Sequence, residues 1–254
     1  FLGEYDALRG QGHGCAHHMQ TPAMIGAAMA LRGVLESSDQ PFEIHVIGTP
    51  SEESLDGGKN EMAAHGGFDH IDVAFMVHGS TLTQLETPSL ALIEMDVEFH
   101  GKTAHAGIAP YAGRSAVDAV TMLQTGLGLM RNHLKDSSRV SNIVLAGGTA
   151  VNSVPDFAKV KVEIRHSSMA YLESVEQWTR EIAQAAAMAT QTQVQITPVA
   201  HIYNTTINDA MGALLMECAE KFACDGIAPP RKDCGSTDFG AVTHRLPSCC
   251  LRVK

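Results

Sequence analysis

The stretch Leu90–His100, L-A-L-I-E-M-D-V-E-F-H, decides the fold. Its M-D-V-E-F portion alternates apolar and acidic residues, the period of a strand with one buried face. Downstream, Arg114–Asn132 has the pattern of an amphipathic helix, and Val140–Ala146 that of a strand ending at Gly147-Gly148. Ala158–Arg165 alternates cleanly, Met169–Thr190 is helical in period, and Gln193–Thr197 is a last short strand. The order β-α-β-β-α-β is the ferredoxin-like plan. Residues 89–200 are therefore expected to close as a small domain inserted into a first one, formed by 1–88 and 201–254.

The flanking segments have a different rhythm. Thr21-Pro22 suggests a helix N-cap followed by proline at the first helical position. The run A-M-I-G-A-A-M-A-L-R-G-V-L is apolar on nearly all sides, which predicts a buried helix. Phe42–Gly48 and Ile71–Val77 read as strands, Lys59–His65 as a short helix, and Asn208–Ala223 as a longer one. The loop D-C-G-S-T-D-F-G then precedes a final apolar run. Alternating strands and helices argue for an α/β domain with a mostly parallel sheet, whose functional loops lie beyond the carboxyl ends of the strands.

Bulk properties narrow the partners. The 254 residues carry 18 basic and 28 acidic side chains, a net charge of −10, which disfavours nucleic acid and anionic membrane surfaces. No apolar run approaches the roughly 20 residues of a membrane span. Six cysteines without a C-x-x-C pair point to a reduced, cytoplasmic setting. The chain opens on Phe1 without a methionine and stops on Val253-Lys254, which reads as a piece of a longer one.

Gly10–Pro22, G-Q-G-H-G-C-A-H-H-M-Q-T-P, crowds histidine, cysteine and glycine into one loop. Such donors suit a transition-metal site, and Cys15 and His17, one residue apart, point the same way in extended backbone. His13 and His18 compete for the same role less well. Glu52-Glu53, in T-P-S-E-E, supplies two carboxylates at a strand end, one able to bind metal and the other to take a proton. A metal lowers the pKa of its bound water from about 15.7 to about 7, within reach of a carboxylate base. His78, in M-V-H-G, completes a set of one sulfur, two nitrogen and one or two oxygen donors. The alternative for Glu52-Glu53 is a solvated turn, and for Cys15, His17 and His78 a mononuclear structural zinc site. H-E-x-x-H, G-x-S-x-G and P-C-x-x-C do not occur, and Gly101-Lys102-Thr103 lacks the leading glycine of a P-loop because Asp96 stands there.

E-Y-D-A-L, G-H-G-C-A-H, T-P-S-E-E, M-V-H, G-K-T-A-H-A-G-I-A-P, G-G-T-A-V-N-S-V-P-D and G-S-T-D-F-G occur in one order along nearly the whole chain. In this the sequence resembles the dinuclear metal aminoacylase and peptidase family, in its amidohydrolase branch of p-aminobenzoyl-glutamate hydrolases and N-acyl-amino-acid or dipeptide amidases. The resemblance implies two divalent ions, zinc or manganese, bridged by Cys15 and further held by His17, Glu53 and His78. It implies Glu52 as general base for a metal-bound hydroxide and Asp6 as the group orienting a ligand. His105 would stabilise the oxyanion from an inserted lid that forms a homodimer, and Asn152 and Arg165 would lie near the substrate. The alternative is a catalytically inactive relative that binds a small ligand or regulates. The chain departs from the family pattern at C-A-H-H, where His18 replaces a supporting residue, at Arg9 in place of proline, and at Thr237 in place of an acid. The family's last ligand, a histidine, is expected beyond residue 254.

Overall fold

The computed structural model describes residues 1–54, 57–223, 225–231 and 235–254. Asp56 of the D-G-G-K segment, Asp233 and Cys234 of D-C-G-S-T-D-F-G, and Cys224 lie outside the described residues. The chain divides into two units, Phe1–Leu90 with Ile202–Lys254, and Ala91–His201.

The first unit begins with β1 (Leu2–Glu4), α1 (His17–Leu35), β2 (Ile47–Thr49), α2 (Gly58–Ala64), β3 (Ala74–Gly79) and β4 (Gln84–Leu85). The second follows as β5 (Ala91–His100), α3 (Ala116–Met130), β6 (Arg139–Ala146), β7 (Phe157–His166), α4 (Met169–Thr190) and β8 (Gln193–Ile202). The chain then returns to the first unit with α5 (Asp209–Phe222), α6 (Gly240–Thr243) and β9 (Ser248–Val253).

In the second unit the sheet order is β6-β7-β5-β8, and β7 runs antiparallel to both β5 and β6. Period-two alternation turns Val97 and Phe99 of β5, and Val160, Val162 and Ile164 of β7, to one face, where all are fully buried. Helices α3 and α4 cover that face with Leu123, Leu127, Leu172 and Val175. Each helix starts on a serine: Ser115 accepts from the Asp118 amide at 3.2 Å, and Ser168 from the Tyr171 amide at 3.4 Å.

The described strands of the first unit form two small sheets rather than one continuous sheet. β1 pairs in parallel with β2, whereas β3 pairs in parallel with β9, whose other edge carries antiparallel β4. The Gln20 side chain of α1 spans the two sheets: its amide oxygen accepts from the Glu4 N–H at 3.0 Å, and its nitrogen donates to the Val77 carbonyl. Leu2, Phe68, Met76, Phe239 and Val242 form the apolar core beneath.

Three expectations from the sequence are corrected here. The first helix begins at His17, so Thr21 is inside it and spends its hydroxyl on the Glu4 carbonyl at 2.8 Å instead of capping. That helix is not buried on all sides: His17, Gln20, Met24 and Ala28 face β1 and β3, while Met19, Met29 and Val34 are exposed. Of the expected strand Phe42–Gly48, only its last two residues are extended and paired, because β2 meets just the three residues of β1.

Candidate metal centre

The carboxyl ends of three strands of the first unit deliver the site. β1 ends on Glu4, β2 leads into the loop carrying Glu52 and Glu53, and β3 ends on His78-Gly79. The glycine-bearing loop after β1 brings Cys15 up to α1, with Ala16 in the left-handed region at φ 62 before the helix starts at His17. Gly79 allows this loop a close approach, since a Cβ there would sit 2.7 Å from the Cβ of Ala16. Gly58 does the same for α2, because a Cβ would come within 1.9 Å of the Pro50 carbonyl oxygen.

The donor atoms of Cys15, His17 and Glu53 lie within 4.8 Å of one another, as do those of Glu4, His17 and His78. His17 is fully buried, and its Nδ1 lies 3.1 Å from the Asp6 carbonyl oxygen. A carbonyl only accepts, so Nδ1 carries a proton and Nε2 is the nitrogen turned toward the Glu4 carboxylate at 3.1 Å. His78 is fixed in the same way, its Nδ1 donating to the Gly79 carbonyl at 2.7 Å. The Arg252 guanidinium lies farther off, 3.4 Å from that nitrogen, and is itself held by Glu86 at 2.7 Å. Asp6 reaches both sides of the site, with Oδ1 3.3 Å from His17 Nδ1 and Oδ2 accepting from the Glu53 amide at 2.9 Å.

Behind these donors is a buried ion cluster that no motif in the sequence announces. The Lys59 ammonium has no exposed surface and donates to Glu4 Oε1 at 2.6 Å and to Asp238 Oδ1 at 2.5 Å. Its amide also donates to Asp238 Oδ2 at 2.9 Å. Glu4, Glu52 and Asp238 place carboxylate oxygens within 4.8 Å of one another around this lysine. E-Y-D-A-L, D-G-G-K and G-S-T-D-F-G contain the three partners, but a lone charged residue is more often at a surface, so sequence reasoning misses them.

Burial and crowding set the protonation. Burial, then the negative charges of Glu4 and Asp238, push the Glu52 carboxyl up to about 7, against the opposing pull of Lys59 and a hydrogen bond from Thr237. Burial and the Glu53, Glu52 and Glu4 carboxylates push the Cys15 thiol up to about 12, so without a cation it stays protonated and hydrogen-bonded to Glu53. Burial would raise Glu4 and lower Lys59, but their mutual attraction outweighs it in both, and each is held in its charged form. Burial lowers His78, which keeps that imidazole neutral.

Among the described residues, four buried oxygens and nitrogens at this site have no hydrogen-bond partner: Glu4 Oε2, Asp6 Oδ1, His17 Nε2 and Glu53 Oε1. Orphaned acceptors converging with a thiol are a poor arrangement for a protein alone and a suitable one for divalent ions. The residues present thus fit a metal centre. His13 and His18 are not among these donors; their exposed rings are tilted at 52° with centroids 4.8 Å apart.

The remaining expected site residues belong to the second unit. His105 is exposed, its Nδ1 accepting from the Gly107 amide at 3.2 Å. Asn152 is its neighbour there, with its carbonyl accepting from the Ala106 amide at 2.9 Å. Arg165, on β7, holds the Glu163 carboxylate with two nitrogens at 2.7 and 2.9 Å. In the first unit, His244 is exposed and its Nε2 lies 2.9 Å from the Asn204 carbonyl oxygen.

Known proteins resemble this chain over most of its length. The sequence profile described as Peptidase family M20/M25/M40 matches residues 3–253. The chain is 34% identical to the mouse (Mus musculus) Xaa-Arg dipeptidase over 253 residues, covering 97% of this chain and 58% of that protein. It is 33% identical over 233 residues to one of the p-aminobenzoyl-glutamate hydrolase subunits of Escherichia coli (strain K12), covering 83% of this chain and 48% of that protein. The chain therefore spans about half the length of these curated relatives. The fold also matches the crystal structure of an aminobenzoyl-glutamate utilization protein from Klebsiella pneumoniae, with a TM-score of 0.75, 24% identity, and coverage of 99% of this chain and 65% of that one. A putative aminohydrolase from methicillin-resistant Staphylococcus aureus gives a TM-score of 0.79 at 17% identity, over 99% of this chain and 70% of that one. From its strand-end donors to its two-unit architecture, the chain belongs to peptidase family M20/M25/M40.

Proposed function

We propose that this chain carries the metal-binding and proton-transfer groups of an amidohydrolase that cleaves N-acyl amino acids, aryl-amide glutamates or dipeptides. The observation that carries the reading is the convergence of Cys15 and Glu53 on His17, which His78 meets in a second donor group, with His17 Nε2 and Glu53 Oε1 buried and without a hydrogen-bond partner, beside a carboxylic acid at Glu52 whose pKa is pushed up to about 7. The names of the mouse and Escherichia coli relatives, a dipeptidase and an aryl-amide glutamate hydrolase, support the substrate class.

Cys15, His17, Glu53 and His78 would hold two divalent ions, zinc or manganese, with the Cys15 sulfur shared between them. Such ions supply Lewis-acid activation of water and of the scissile carbonyl. Glu52 takes a proton from the attacking water and returns it to the leaving nitrogen, a task suited to an acid with pKa of about 7. Asp6 keeps the His17 ring and the Glu53 loop in place. By the family resemblance, His105 would serve the oxyanion in the active site of the partner subunit, and Asn152 and Arg165 would lie near the substrate. A homodimer through the second unit is supported by β6, an edge strand that leaves Ile143, Val144 and Leu145 about half exposed. The unpaired cysteines 15, 218, 249 and 250 accord with a reducing, cytoplasmic setting.

Replacing Glu52 by glutamine tests the assignment. Turnover of the best substrate is expected to fall by about 10²–10⁴-fold with metal content unchanged. Turnover near that of the unmodified protein contradicts it.

A further inference from the structure

Glu4 has no role in the reading above, yet its carboxylate is tightly held and fully buried. Its side chain is buried, its amide donates to Gln20, and its carbonyl accepts from Thr21. Oε1 accepts from Lys59 at 2.6 Å. Only Oε2 makes no hydrogen bond, and it faces His17 Nε2 at 3.1 Å, another atom without one. In a neutral His17 with its proton on Nδ1, two buried lone pairs confront each other, an arrangement that costs free energy unless a cation lies at the junction. The His78 ring meets the His17 ring edge-on at 5.5 Å, and its Nδ1 is likewise committed to a carbonyl, so its Nε2 is available as a third donor.

We propose that Glu4 is a ligand of the metal centre through Oε2, together with His17 and His78, and that Lys59 is the positioning residue that presents it. Two imidazoles and one carboxylate, joined by the Cys15 sulfur, are donors that suit zinc. Lys59 occupies Oε1 alone and directs its remaining attraction to Asp238, leaving Oε2 uncommitted. This inference rests on the metal-dependent reading above. The competing account is that Glu4 merely pairs with a doubly protonated His17.

The two accounts differ in what Glu4→Gln does to metal binding. Glutamine keeps an oxygen for Lys59 but offers the metal a neutral amide in place of a carboxylate. If Glu4 is a ligand, the zinc affinity of the variant, measured by calorimetric titration of the whole chain, falls by more than the roughly 10–100-fold expected for loss of an outer partner. An affinity that is unchanged or falls no further than that range overturns the proposal. If the unmodified chain binds no zinc, the metal-dependent reading itself fails. Should the variant not fold, anomalous diffraction from the zinc-loaded unmodified chain decides: Glu4 Oε2 at about 2.0–2.2 Å from the ion is expected, and a carboxylate beyond contact overturns it.

Discussion

The two units use the same charged residue types in opposite ways. On the open face of the second unit, Lys161 bonds Glu94 at 2.6 Å and Lys159 bonds Asp96 at 2.7 Å, pairs set by the antiparallel register of β5 and β7. These lysines keep about a quarter of their side chains in solvent, so water and salt share the work of solvating them. In the first unit, Lys59 reaches Glu4 and Asp238 with essentially no exposure, and each member depends on the others for its charge. Burial, rather than residue type, turns an ion pair from a surface decoration into a structural joint. In this case the joint also backs the donors of the candidate metal centre.

Three substitutions sharpen that contrast, in descending order of effect on stability. Lys59→Met strips the partner from two buried carboxylates and is expected to destabilise the chain by about 3–5 kcal/mol in denaturant unfolding. Leu123→Ala, at a fully buried position between α3 and the sheet, opens a cavity and is expected to cost about 2–5 kcal/mol, with the loss confined to the second unit in hydrogen exchange. Lys161→Ala removes one partly exposed partner from Glu94, and the same unfolding measurement is expected to move by less than about 1 kcal/mol. Equal losses for Lys59→Met and Lys161→Ala would erase the distinction between the two regions.

The second unit is the more legible from sequence, because its long strands and helices repeat a period. Periodicity alone bounds Met169–Thr190 as the structure does, and it starts the strand of Leu90–His100 one residue early. Ser115 and Ser168 cap their helices with local hydrogen bonds, a signal visible within four residues. The first unit's strands of two or three residues are too short to show alternation, so β2 reads as longer than it is. Thr21-Pro22 resembles a cap, yet the helix starts five residues earlier, at His17, which lies between Asp6 and Glu4. Cys15, His17, Glu52, Glu53 and His78 can be found because metal donors cluster by type at strand ends. Glu4, Lys59 and Asp238 cannot, since partners 55 and 179 residues apart leave no local pattern. Gln20, which ties β1 to β3 through its side-chain amide, escapes notice for the same reason.

The most direct test of the account is the number of divalent ions per chain, by elemental analysis of the protein and of its Cys15→Ala variant. Two ions per chain in the unmodified protein, dropping sharply when the shared sulfur is removed, is the expected result. One tightly held ion that survives the loss of Cys15, or none at all, would contradict it.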